Sequence, residues 1–207
     1  RRISMKICVF GAGAIGGYIA GHLARVPGVE VSVVARGEHL AAIQAKGLRN
    51  VSPEGDFTVT VAATDRPAGL GVQDYVFITL KSHQVTPALD AMRPLIGRDT
   101  AVVPPTTGIP YWYFHDLPGA FTGRRLERLD PGGRQWDVLG PERAIGCVYW
   151  VGTELAEPGV VRMDGGIAGL PLGEPDGSVS PRLLRLAQAM KEAGLRAPVR
   201  DNIRPGI

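Results

Sequence analysis

Apolar positions along this chain follow two periods, and the change from one to the other marks its elements. Ile7-Cys8-Val9-Phe10 is an unbroken apolar run, as expected of a strand buried on both faces. Ile15, Ile19 and Leu23 then share the face of a helix. Pro27-Gly28 turns the chain, and the β-branched stretch Val29 to Ala35 predicts a second strand. Glu38 to Lys46 has short helical character and stops at Gly47; Leu48 to Val51 and Phe57 to Ala63 alternate as strands around Pro53-Glu54-Gly55-Asp56. Asp74 to Leu80 is another buried strand candidate. The next helix is predicted to start with Thr86 as N-cap and Pro87 at its first position, with Leu89, Met92 and Leu95 or Ile96 as its core face. Thr100 to Val103 follows as a fifth strand and Pro104 to Pro110 as a rigid loop. Strands alternating with helices predict an α/β fold, a Rossmann-like doubly wound and mainly parallel sheet.

The second half changes character and predicts an antiparallel extension. Ile145 to Val151 and Gly159 to Met163 are expected to pair across Glu154 to Pro158, with Ala168 to Leu172 adding a short strand. Ser180-Pro181 starts a helix whose expected face is Leu183, Leu184, Ala187 and Met190, closing at Gly194. Pro198-Val199-Arg200 is the candidate for a last short strand, and the chain shows no internal repeat.

Candidate chemistry is concentrated between the first strand and the first helix. Gly11-Ala12-Gly13-Ala14-Ile15-Gly16 fits G-x-G-x-x-G in the context that gives that motif meaning. Gly11 allows a tight turn, Gly13 lets backbone approach a diphosphate, and Gly16 lets the helix lie against the strand. Free N–H groups and the positive end of the helix dipole then face the phosphates. Arg36 stands at the tip of the second strand, where an acid would bind the ribose 2′-hydroxyl and an arginine accommodates a 2′-phosphate. A charge-assisted bond of about 1.5–3 kcal/mol there gives NADP one to two decades of preference over NAD. Glu30 lies about 20 residues from the first glycine, but it opens the strand at the end away from the cofactor. Lys81 and Thr107 fall just past the carboxyl ends of later strands, where ligands of open α/β sheets bind.

Composition narrows the function classes further. The 207 residues are 44% hydrophobic with a formal charge of +3, enough for a sizeable core. No basic stripe with interleaved aromatics argues for nucleic acid, and no apolar run reaches the length of a membrane span. Arg1-Arg2-Ile3-Ser4 is not followed by the apolar core of a signal peptide, and Met5 is expected to be the natural start. Cys8 and Cys147 are expected to be buried thiols of a cytoplasmic protein. His22, His39, His83 and His115 are scattered without companions at ligand spacing, so no metal is expected; His83 sits beside Lys81 and reads either as a neighbour of the site or, equally, as a loop or helix-start residue. Tyr111 to Phe114 reads as a packing cluster, and Glu174 and Asp176 as solvated turn residues.

These residues in this order resemble the ketopantoate reductase (2-dehydropantoate 2-reductase) family. The likeness runs from Met5-Lys6-Ile7 and the glycine motif through Val33-Val34-Ala35-Arg36-Gly37, Lys81 with Gln84, and Gly108-Ile109-Pro110. It continues through Ala144 to Val148, Glu157 to Val161, Leu172-Gly173-Glu174 and Asp201-Asn202-Ile203-Arg204. The resemblance implies NADPH-dependent reduction of 2-dehydropantoate to pantoate, a cytoplasmic step toward pantothenate. It implies that residues 5–200 form the NADP-binding domain and 201–207 begin the connection to a C-terminal helical domain that this chain lacks. Gly11, Ala12, Gly13, Ala14, Ile15, Gly16, Arg36, Lys81 and Gln84 would then hold NADPH. Lys81 would also attract the carboxylate of a 2-oxo acid and stabilise a developing alkoxide. Thr107 stands where the family has asparagine, trading a fixed amide donor and acceptor for a shorter hydroxyl. The family's principal catalytic lysine and a substrate-binding glutamate belong beyond the Ile-Arg segment, outside these 207 residues. Reductase activity by a longer protein, a cofactor-binding module without turnover, and a related reductase of another 2-oxo acid are therefore the three readings; a homodimer is left open.

Overall fold

Every strand of the principal sheet has a short side-chain set sorted onto two faces. The computed structural model describes residues 4–104, 108–166 and 168–207, so Thr107 lies outside the described residues. The chain runs β1 (Met5–Phe10), α1 (Ala14–Leu23), β2 (Val29–Val34), α2 (Gly37–Lys46), β3 (Leu48–Ser52), β4 (Gly55–Val59), β5 (Ala62–Thr64) and β6 (Tyr75–Ile78). It continues with α3 (Ser82–Met92), β7 (Ala101–Val103), α4 (Arg134–Leu139), β8 (Gly146–Cys147), β9 (Thr153–Glu157), β10 (Val160–Met163), β11 (Leu172–Gly173) and α5 (Pro181–Glu192).

The five-stranded sheet has the order β5-β2-β1-β6-β7, all neighbours parallel. Strand order reverses direction between β1 and β6, the switch point at which such sheets bind ligands. Met5, Ile7 and Val9 of β1 join the core built with α1, α2 and α5, while Cys8 and Phe10 join the core built with α3, α4, Tyr111 and Trp112. The alternation is that of a pleated strand, and it makes the sheet a layer between two cores. Both thiols are free and buried; burial raises the Cys8 pKa to about 11 and that of Cys147 further still. No helix among the described residues is long and apolar enough to cross a membrane.

The predicted antiparallel extension is a mixed sheet of order β4-β3-β10-β9 in which β10 runs parallel to β3. The single strand expected over Phe57 to Ala63 is two: β4 closes a hairpin on β3, and β5 joins the edge of the principal sheet. Ile145 to Val151 does not pair with Gly159 to Met163. β9, which occupies most of the expected connection, pairs with β10 around the tight turn at Pro158-Gly159, where φ of Gly159 is +81°. β8 pairs instead with β11. A two-residue turn closes a hairpin at less entropic cost than a longer loop, which accounts for the local pairing.

Two helices also depart from expectation. α3 begins at Ser82, leaving Pro87 in its interior, because the Gln84 side chain accepts from the Lys81 N–H at 3.1 Å and Val85 is buried before the proline is reached. α5 is capped by Ser180, whose hydroxyl accepts from Leu183 N–H, but its buried face is Leu183, Leu186, Ala189 and Met190. Leu184 is 50% exposed, since it lies about 100° around the helix from Leu183. Glu174 is not solvated: it is 4% exposed, and Arg182 grips its carboxylate with Nε at 2.9 Å and Nη2 at 2.7 Å while Ser180 also donates to it. That forked contact supplies donors the solvent would otherwise provide. Asp176, by contrast, is exposed as expected.

Candidate functional site

Four strands of the principal sheet end at one cleft of about 650 Å³. Phe10 to Gly13 enter it after β1, Val34 to Arg36 after β2, Asp65 and Pro67 after β5, and Leu80, His83 and Gln84 after β6. Pro87, Ala88 and Ala91 form the wall that α3 contributes.

The glycine loop is built by division of labour. Gly11 has φ of +107°, which a side chain would strain, and a Cβ there would meet Leu80 Cδ2 at 2.8 Å. Its N–H and that of Ala12 both donate to the Val34 carbonyl, at 3.1 and 3.0 Å, so these two amides tie the loop to β2. Thr79 holds the loop from the other side, its hydroxyl donating to the Gly11 carbonyl at 2.5 Å. The first bond inside α1 runs from Gly17 N–H to Gly13 carbonyl at 2.7 Å. The amides just ahead of Gly17 are therefore the orphan donors of a helix start. Gly13 is exposed, and a Cβ placed on it would meet nothing within 4 Å. Open space over orphan amides at the positive end of a dipole fits the diphosphate of a dinucleotide. Gly16 is the opposite case: a Cβ there would run into the Gly11 carbonyl and the Thr79 hydroxyl, and would lie 3.0 Å from Val9 Cγ1.

Arg36 is exposed on the cleft, immediately after Ala35, whose N–H donates to the Thr64 carbonyl at 3.1 Å. The residue thus follows directly on the shared end of β2 and β5. Gln84 lines the cleft in the first turn of α3. Ala14, Ile15 and Gly16 make the first turn of α1, next to Gly13 and outside the lining itself. Lys81 is exposed at the N-terminus of α3, between Leu80 and the cleft residues His83 and Gln84, but outside the lining itself. The structure therefore brings Gly11, Ala12, Gly13, Arg36 and Gln84 to one cavity and sets Lys81 on its margin.

Several contributors escaped the sequence reading. His39 lines the cleft and contacts the Ala12 carbonyl with Nε2 at 2.6 Å, and its Nδ1 accepts from Gly159 N–H at 2.9 Å. Its position in the first turn after Arg36 is a signal, but its second partner is 120 residues away in sequence. Thr79 and Asp65 have the weaker signal of lying just past a strand end. Tyr111 and Trp112 of the aromatic cluster are buried in the core. Among the described residues no group of three or more His, Cys, Asp or Glu side chains is gathered as a metal would require.

The profile described as "Ketopantoate reductase PanE/ApbA" matches residues 7–110. A 2-dehydropantoate 2-reductase of Mesorhizobium japonicum is 48% identical over 203 residues, covering 98% of this chain and 62% of that protein. One from Pyrococcus horikoshii is 32% identical over 200 residues, covering 96% of this chain and 57% of its own length. A crystal structure from Ralstonia solanacearum MolK2, assigned by name to the ketopantoate reductases, has a TM-score of 0.91 at 38% identity, covering 99% of this chain and 63% of that one. This chain thus spans less than two thirds of the length of these relatives. With the profile spanning half of the sequence and the same parallel sheet beneath it, the chain belongs to the ketopantoate reductase PanE/ApbA family.

Proposed function

We propose that this chain is the nucleotide-binding part of an NADPH-dependent reductase that converts 2-dehydropantoate to pantoate in the cytoplasm. The observation that carries the reading is the cleft at the switch point, with orphan amides of α1 over open space and Arg36 at the neighbouring strand end. The residues fit the coenzyme in charge: amides for the diphosphate, and an arginine at the strand end suited to a 2′-phosphate. When bound, NADPH supplies the hydride for the carbonyl carbon. Around it, Arg36 neutralises the extra phosphate, Gly13 admits the diphosphate, and Lys81 presents a cation to the 2-oxo acid's carboxylate. The carbonyl oxygen also needs a proton, and general acid help is typically worth about 10²–10⁴-fold. The family relatives are longer than this chain, which favours a second reading for the 207 residues alone: coenzyme binding without turnover.

Titration with NADPH and NADH, followed by an oxidation assay on 2-dehydropantoate, tests both. Binding that prefers NADPH supports the first step, and Arg36→Ala is expected to weaken NADPH selectively by one to two decades, the worth of roughly 1.5–3 kcal/mol. An unchanged ratio of the two affinities in that variant refutes the role of Arg36. Turnover decides between reductase and binding module, and a panel of 2-oxo acids tests whether the substrate is 2-dehydropantoate.

A further inference from the structure

His39 is held between two backbone groups that between them fix its tautomer. Gly159 N–H can only donate, so Nδ1 must offer it a lone pair; the Ala12 carbonyl can only accept, so Nε2 must carry the hydrogen. The ring is therefore the neutral Nε2–H tautomer, clamped from both sides. Its contact with Ala12 stands in for a bond that α1 does not make, since the helix ladder begins one residue later, at the Gly13 carbonyl. The Ala12–Gly13 peptide is trans, so anchoring its oxygen also fixes the direction of the Gly13 N–H on the opposite side. A bare carbonyl oxygen at the rim of an anion site would repel a phosphate, and the imidazole N–H occupies it.

We infer that His39 is a positioning residue for the coenzyme: it caps the Ala12 carbonyl, orients the diphosphate-binding amides, and ties that loop to the β9–β10 turn at Gly159. The inference rests on the nucleotide reading of the cleft. It differs from the role of Arg36 in what it recognises. His39 acts on the diphosphate, common to NADPH and NADH, whereas Arg36 acts on the 2′-phosphate that only NADPH carries.

Coenzyme titrations of the wild-type chain, His39→Leu and His39→Gln, each with a melting curve to establish folding, separate these effects. His39→Leu is expected to weaken NADPH and NADH alike, by about tenfold, the worth of one lost hydrogen bond, leaving their ratio unchanged. His39→Gln retains a side-chain N–H able to reach the Ala12 carbonyl and is expected to recover most of the affinity. Nitrogen-detected NMR of the wild-type imidazole reads the tautomer directly and needs no variant to fold. A folded His39→Leu with wild-type affinities, a change confined to NADPH, or an Nδ1–H tautomer overturns the inference. A wild-type chain that binds neither coenzyme overturns the nucleotide reading itself, a result distinguishable from all three.

Discussion

Gly13→Ala separates binding from folding more cleanly than any other substitution in the glycine loop. Gly13 has an extended backbone with φ of −67°, outside the left-handed region that strains a side chain, and an added Cβ meets no atom within 4 Å. Restricting the unfolded chain at a compatible position is worth roughly 0.4–1 kcal/mol, so the melting temperature should hold or rise slightly. The same methyl occupies the space that the proposed binding mode gives to the diphosphate. Pushing a phosphate out by about an ångström forfeits at least one charge-assisted bond of about 1.5–3 kcal/mol, which weakens coenzyme by one to two decades. Fluorescence titration with NADPH and NADH, beside differential scanning calorimetry, measures both quantities on one sample. Gly16→Ala provides the opposite signature: its Cβ would be forced into the Gly11 carbonyl and the Thr79 hydroxyl, so overpacking of about 1–3 kcal/mol should lower the melting temperature. Coenzyme affinity unchanged in a folded Gly13→Ala would show that the diphosphate does not lie over this loop, whatever the motif suggests.

Glu174→Ala leaves the Arg182 guanidinium without its forked partner; with a third of the Arg182 side chain exposed, the expected loss is roughly 2–3 kcal/mol by chemical denaturation, and Glu174→Gln should lose less. Burial depresses the pKa of His22 below its ordinary 6.5, and its Nδ1 contacts the Ala193 carbonyl at 3.1 Å. The unfolded chain therefore takes up this proton first as pH falls. Its contribution to stability is complete above pH 6.5 and declines as pH drops through the folded-state pKa. Urea unfolding across that window should show a slope that His22→Asn reduces; an identical slope in the variant would remove His22 as the cause. Cys8 and Cys147 are free and buried with raised pKa values, so neither should react with a thiol reagent near pH 8 until the chain is unfolded.

The parts of this fold that could be read from sequence are those decided locally. Ile7 to Phe10, the glycine turn and Ile19 with Leu23 define strand, turn and helix within one stretch of chain, and the structure keeps all three. Ser180-Pro181 defines a helix start in the same way, through a hydroxyl cap and a proline suited to the first turn. Errors arise where a distant partner decides. The parallel pairing of β10 with β3 joins segments more than a hundred residues apart, which no local pattern announces, and β10 takes as its other neighbour β9, a stretch that reads as a loop. Glu174 looks like a turn carboxylate until Arg182 is brought over it, and the proline rule misplaces the start of α3 because Val85 anchors the turn before Pro87. The site divides along the same line. Gly11, Gly13 and Arg36 follow from motif and strand tip, whereas His39 depends on Gly159 from another sheet.

That second sheet gives the glycine loop a rigidity that the motif alone would not confer. α1 lies between the principal sheet and the mixed one, and it turns a bare backbone to each. A Cβ at Gly16 would enter the β1 turn, one at Gly17 would meet Val161 Cγ2 of β10 at 2.6 Å, and one at Gly21 would meet Asn50 Cγ of β3 at 2.8 Å. A helix packed this closely on opposite sides has little room to slide or roll without overlap, because interiors at crystal-like density do not deform smoothly. Its N-terminal amides are consequently held in place before any ligand arrives, and binding there need not pay to order them. The mixed sheet thus contributes to the proposed coenzyme site without lining it: it holds α1 from behind through Val161 and Asn50, and reaches the loop from the side through Gly159 and His39.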